Sequence, residues 1–223
     1  MLSINGLHLK NVVEFRGHDG EPLIQGDLYL AYHKLGFWSQ DSWGGPDIIH
    51  LDSGYEIDKL NNRIAALNPD KKLRSTASAH PFEIDYDLEL LMGDYILLQH
   101  DYEEYLKALQ SGHFGVLIAS DGYHMMTWHL PKAYVKQSDE VLMKNMEFEI
   151  NKAKTSIFFP ENAYTKHTIK IYRSAKDFEI GEVIQAEDIR QTKDIDQLIK
   201  DSSEKLNGVK ADVKTMLPDE KNR

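Results

Sequence analysis

The chain has 223 residues, 41% hydrophobic and 28% charged, which is ordinary globular composition and excludes a disordered polypeptide. Its longest apolar runs, such as Phe114 to Ala119, fall far short of the ~20 residues of a membrane helix, and the absence of cysteine excludes disulfides and thiolate metal sites. The net charge of −10, from 36 acidic and 26 basic residues, opposes direct binding to a phosphate backbone.

Met1 to Lys10 holds no cationic stretch followed by an apolar run, so no signal peptide is expected. A cysteine-free chain suits a reducing cytoplasm. Leu7 to Arg16 alternates loosely and predicts a strand. Gly17 to Pro22 is turn chemistry, since Asp-Gly admits positive φ and proline fixes the exit. Ile24 to Tyr32 sets Leu28 and Leu30 against Asp27 and Tyr29, a second strand. Lys34 to Ser39 predicts a third strand, Asp41 to Asp47 a turn, and Asp47 to Leu51 a fourth strand. The pattern is an antiparallel meander.

The period then changes. Ile57, Leu60, Ile64 and Leu67 recur three or four apart, one face of a helix that Asn68-Pro69 ends. Leu73 to Pro81 reads as a polar loop. Leu88, Leu91, Met92, Tyr95 and Leu98 form a second helical stripe, which runs on to a stop at Gly112. Phe114 to Ala119 and Tyr123 to Leu130 predict a hairpin around Ser120 to Tyr123. Ser138 opens a helix to Ala153, although Met146 to Ile150 also alternates like a strand. His167 to Arg173 and Phe178 to Ile184 predict further strands, and Asp194 to Leu206 a last helix. The expected fold class is α+β: an N-terminal antiparallel β-meander, central helices, and a second β segment with helices. The expected division is 1–80 for the meander with its helix, 81–206 for an α+β domain with an acidic helical segment, and 207–223 for a polar tail.

Gly36 to His50 concentrates two tryptophans, a Gly-Gly-Pro turn and two aspartates. A phosphate loop is not the reading, because no lysine follows Gly44-Gly45 and Pro46 lacks the N–H a phosphate would accept. The plain reading is a hairpin turn beside packed aromatics. Phe37 and Trp38 are adjacent on a strand and point to opposite faces, so one of them leaves the core. Trp38 or Trp43 is therefore a candidate anchor for a partner.

No catalytic motif emerges. His124 and His129 are five apart on an expected strand and face opposite ways; Ser39, Ser42 and Ser53 lack a nucleophile elbow; His18-Asp19 has no nucleophile beside it. No cofactor motif and no metal motif are present. Asp19, Glu21, Asp41 and Asp47 crowd the first turns. They either bond their own backbone or converge on a divalent cation, which would make the chain a metal-dependent hydrolase or nuclease.

The main charge feature lies between Ser75 and Leu106, where eight acids stand without one lysine or arginine. Asp87, Asp94 and Asp101 recur at seven-residue spacing, on nearly one helix face, opposite Leu88, Leu91, Tyr95 and Leu98. Such a face is either a solvated exterior or a single-sign surface that steers a basic partner. The partner-binding set expected from these patterns is Trp38, Trp43, Glu83, Asp87, Asp94, Asp101 and Glu104.

Phe15 to Asp47, "FRGHDGEPLIQGDLYL…KLGFWSQDSWGGPD", resembles small proteins carried by phages and plasmids of Gram-positive bacteria. Several of those are anti-CRISPRs that inhibit Cas9, and acidic surfaces facing basic Cas9 channels are one of their routes. The resemblance implies a non-enzymatic cytoplasmic binding protein of a mobile element. Its partner would be a basic host protein, such as a Cas9-type nuclease, with no direct contact to nucleic acid or membrane.

Overall fold

The computed structural model describes residues 2–75, 82–120, 125–154 and 168–191. The described residues up to Ile189 belong to one compact unit. The expected last helix, Asp194 to Leu206, and the tail 207–223 lie outside the described residues, as do the hairpin tip at 121–124 and its His124.

The fold is α+β, as the patterns predict. Strands β1 (Ser3–Ile4), β2 (Leu7–Arg16), β3 (Pro22–Leu30), β4 (His33–Ser39) and β5 (Ile48–Leu51) form an antiparallel meander in chain order. Asn5 and Gly6, at φ 51° and 82°, turn β1 into β2 with the backbone of an Asn-Gly hairpin. The loose alternation of β2 has a local cause: the register with β3 shifts between Lys10 and Val13, and Asn11 sits there at φ 51°.

Helix α1 (Ile57–Leu67) follows, and its Leu60 and Ile64 are fully buried. The Asn68 side chain ends it, donating to the Ile64 carbonyl at 2.8 Å and to Asn5 Oδ1 at 3.0 Å. The stretch expected to be a polar loop instead contains a strand. β6 (Lys72–Ser75) pairs with β7 (Phe82–Asp85), with Leu73 opposite Ile84. Lys72 joins the two strands by bonding Glu83 at 2.7 Å and Asp85 at 3.2 Å.

Helix α2 (Leu88–Gln110) is the longest element. Asp87 caps it, its carboxylate accepting from the Leu90 N–H at 3.0 Å. Gly112, at φ 81°, ends it as expected, and the His113 N–H reaches back to the Ala108 carbonyl at 2.9 Å. No helix among the described residues is long and apolar enough to cross a membrane.

Strands β8 (Gly115–Ser120) and β9 (Met125–Leu130) pair antiparallel, and β10 (Thr168–Tyr172) pairs with the other edge of β8. A short helix α3 (Lys132–Val135) and the longer α4 (Asp139–Lys154) lie between β9 and β10 in sequence. Ser138 receives the first turn of α4, with the Leu142 N–H on its carbonyl at 2.9 Å. After a 3₁₀ turn at Ala175–Phe178, strand β11 (Glu179–Ile180) pairs in parallel with β1 and completes a six-stranded sheet. A last 3₁₀ turn spans Ala186–Ile189.

Two buried clusters hold these layers. The larger packs Leu28, Leu35 and Trp38 of the meander against Ile64 of α1 and Leu91 of α2, and extends to Val116 of β8. That core is continuous across residue 80. The smaller lies on the other face of the second sheet, where Leu117 and Leu130 meet Leu142, Met146 and Ile150. The three-stranded sheet is thus covered by α2 on one face and α4 on the other.

Candidate functional site

The two tryptophans divide sharply. Trp38 is 0% exposed and belongs to the core, while Phe37 is half-buried. Trp38 is therefore not the partner anchor; α1 and α2 cover its face of the sheet and desolvate it. Trp43 is 74% exposed.

The acidic stripe is not the open face its sequence suggests. Cations arrive from outside the window. Asp94 receives the Lys71 ammonium and the Tyr86 hydroxyl, each at 2.7 Å. Asp101, only 4% exposed, receives Lys170 at 2.8 Å and the Tyr172 hydroxyl at 2.7 Å. Glu83 pairs with Lys72 at 2.7 Å, and Glu104 with Lys107 at 2.6 Å. Asp87 is the helix cap already described. The seven-residue repeat is thus a cap, a paired carboxylate and a buried anchor on a single helix. Burial, and then the bonded carboxylate, push both phenols, Tyr86 and Tyr172, above the ordinary range.

Two of the four turn carboxylates, Glu21 and Asp41, are engaged by the backbone of their own turns. Asp41 Oδ2 accepts from the Gly45 N–H at 2.7 Å and from the Trp43 N–H at 3.3 Å. Glu21 accepts from the Asp19 N–H at 3.0 Å. Asp47 accepts from Trp38 Nε1 at 2.9 Å. Among the described residues no group of three or more histidines and carboxylates is placed to hold a metal ion. The convergence that a metal-dependent hydrolase needs is not found in these turns.

What these turns do build is an exposed aromatic pair. The His18 and Trp43 rings stack at 3.9 Å between centroids with 22° between planes. The His18 N–H donates to the Ser42 carbonyl at 2.8 Å, which docks the β2–β3 turn on the β4–β5 turn. Gly44, at φ 74°, lets the chain double back so that Asp41 can bind two backbone N–H groups. The indole is therefore held outward by a ring beneath it and by the backbone that carries it.

Charge gathers at the same end of the sheet. Asp47 is raised from 3.8 to about 6, first by burial and then by the negative charges of Glu89, Asp41 and Asp87, against the lowering effect of the Trp38 N–H. Glu89, Asp41 and Asp87 thus add to burial in disfavouring the charged form of Asp47. Helix α2 opens there with Asp87 as its cap and Glu89 in its first turn, where the helix dipole favours anions.

A second grouping has catalytic residue types. Ser111 Oγ lies 3.3 Å from Nδ1 of both His113 and His129. The same hydroxyl meets the Lys107 and Ala108 carbonyls at 2.9 and 3.0 Å. A hydroxyl has one proton to give, and here the last carbonyls of α2 take it, which makes Ser111 a helix cap.

Compared with protein-family models, curated proteins and solved structures, the chain matches none.

Proposed function

We propose that this chain is a non-enzymatic binding protein that docks on a positively charged macromolecule through the turn end of its first sheet. The carrying observation is Trp43, exposed and stacked on His18 in a turn that also carries Asp41 and Asp47. A large aromatic fixed before binding loses little conformational freedom on contact, which is how binding anchors gain affinity. A cation of the partner would offset the negative charges of Glu89, Asp41 and Asp87 that act on Asp47. The net charge of −10 favours the same class of partner through long-range attraction.

His18 and Trp43 both lie within the stretch that resembles mobile-element proteins, Phe15 to Asp47. That resemblance points to a cytoplasmic role against a basic nucleic-acid-handling protein of the host, with a Cas9-type nuclease as the specific candidate. Such an inhibitor acts by occupying a surface the nuclease needs, so it requires no catalytic group of its own.

The test is direct binding. The full chain is titrated into a purified Cas9-type nuclease at low and at physiological salt. Binding that weakens with salt and is lost in Trp43→Ala supports the reading. Binding indifferent to both contradicts it.

A further inference from the structure

We infer that His113 and His129 form a binding site for a single zinc ion at the C-terminal end of α2, with the ion's remaining positions left to water. The site does not rest on the function proposed above.

The backbone places both rings. Helix α2 ends in a Schellman turn: the Gly112 N–H donates to the Leu109 carbonyl at 3.0 Å, and the His113 N–H to the Ala108 carbonyl at 2.9 Å. The next residue is clamped to the neighbouring strand, where the Phe114 N–H donates to the Leu130 carbonyl at 2.9 Å. His129 precedes Leu130 on β9 and stands opposite the buried Val116, so its side chain leaves the sheet on the face that α2 covers. The two imidazoles meet beside the end of α2 with their centroids 5.3 Å apart. Two imidazoles on one tetrahedral zinc ion have centroids about 5.2 Å apart, from about 2.05 Å between metal and nitrogen and about 1.15 Å between nitrogen and ring centre. Both rings are half-buried, so an ion from solvent can reach them.

Ser111 sets the tautomers. Its hydroxyl proton is taken by the Lys107 and Ala108 carbonyls, at 2.9 and 3.0 Å. The oxygen then offers two lone pairs, and Nδ1 of each ring lies 3.3 Å away. Each ring fills one of them by donating its Nδ1–H, which leaves the bare lone pair on Nε2. Metal-binding histidines are held in this way, with the second nitrogen donating to a fixed acceptor. Neutral imidazoles suit zinc. Among the described residues no third histidine or carboxylate joins the pair, so magnesium and calcium find no set of oxygen ligands there. The same shortage makes the site an exchangeable one, of micromolar and not structural affinity. The end of α2 carries the negative pole of the helix, which favours a cation. Nearby in sequence, Lys107 pairs with Glu104 at 2.6 Å and Lys132 lies over the Phe114 ring, 5.7 Å from its centroid.

Zinc chloride is titrated into the full chain, free of any affinity tag, by calorimetry, and the imidazole nitrogens are followed by NMR. We expect one ion per chain at micromolar affinity, with the Nε2 resonances of His113 and His129 shifting together. That shift is read in the wild-type protein and needs no variant to fold. His113→Asn and His129→Asn should each weaken binding by about tenfold or more. Ser111→Ala keeps both ligands but frees their tautomers, and should also weaken binding by about tenfold or more, while Ser111→Thr, which keeps the hydroxyl, restores it. Magnesium chloride should not bind at the pair. Absence of saturable zinc binding, zinc-induced shifts confined to other histidines, or an affinity unchanged in His113→Asn and His129→Asn would overturn the inference.

Discussion

Trp38 donates its indole N–H to Asp47 at 2.9 Å, so a fully buried core residue holds a carboxylate at the edge of the exposed turn. The bond joins the two parts of the account. The core face of β4 sets where the β4–β5 turn sits, and the turn presents Trp43.

Asp47 gives the first prediction. Its folded pKa, about 6, lies above the ordinary 3.8, so between those values the folded chain keeps a proton that the unfolded chain releases. Stability from this group is present at low pH and is lost as pH rises through that window. Asp47→Asn keeps an acceptor for Trp38 and removes the charge. Discounted for partial exposure, the substitution should stabilise the fold by about 1–2 kcal/mol at pH 8. At pH 4 it should change little. Urea denaturation at the two pH values measures both.

His8 titrates in the opposite sense. It is 3% exposed, stacks on Tyr29, and has no hydrogen-bond partner at Nε2 among the described residues. Burial above all holds its pKa below the ordinary 6.5. The unfolded chain therefore takes up a proton that the fold refuses, and stability falls as pH drops below about 6.5. His8→Phe, which keeps the stack, should flatten the acid limb of the stability profile. An unchanged limb would show that other groups cause it.

The carboxylates of α2 should separate by burial. Asp101→Ala leaves Lys170 and the Tyr172 hydroxyl without their shared acceptor, and should cost about 3–5 kcal/mol. Asp94→Ala breaks a more exposed pair and should cost about 1 kcal/mol or less. Equal costs in chemical denaturation would contradict the roles assigned here.

Much of the fold was legible because its signals are local. The stripe Leu88, Leu91, Tyr95 and Leu98 and the stop at Gly112 need only neighbours on one helix. Asn5-Gly6 also carried a local hairpin signal, which would have placed β1. Its partner β11 lies about 175 residues away, and no short-range pattern announces a two-residue parallel pairing. The site was harder for the same reason. Lys71 stands 23 positions from Asp94, and Lys170 stands 69 from Asp101, so a charge count within a window meets the acids without their partners. Strand alternation says that Phe37 and Trp38 part company. Only the position of α1 and α2 decides which of them is inside. The stack of His18 on Trp43 joins two turns 25 positions apart, and neither turn alone signals it.

The tryptophans should therefore behave as opposites. Trp38→Ala removes a fully buried side chain and should destabilise the fold by about 3–5 kcal/mol. Trp43→Ala should shift stability by no more than about 0.5 kcal/mol. Thermal and urea melts of the two variants make the comparison.

Calorimetric titration of wild type and Trp43→Ala into a purified Cas9-type nuclease at low salt tests docking through the exposed indole most directly. The prediction is that the variant, folded as well as wild type, binds at least tenfold more weakly. Equal affinity of the two proteins, or no binding by wild type, would contradict it.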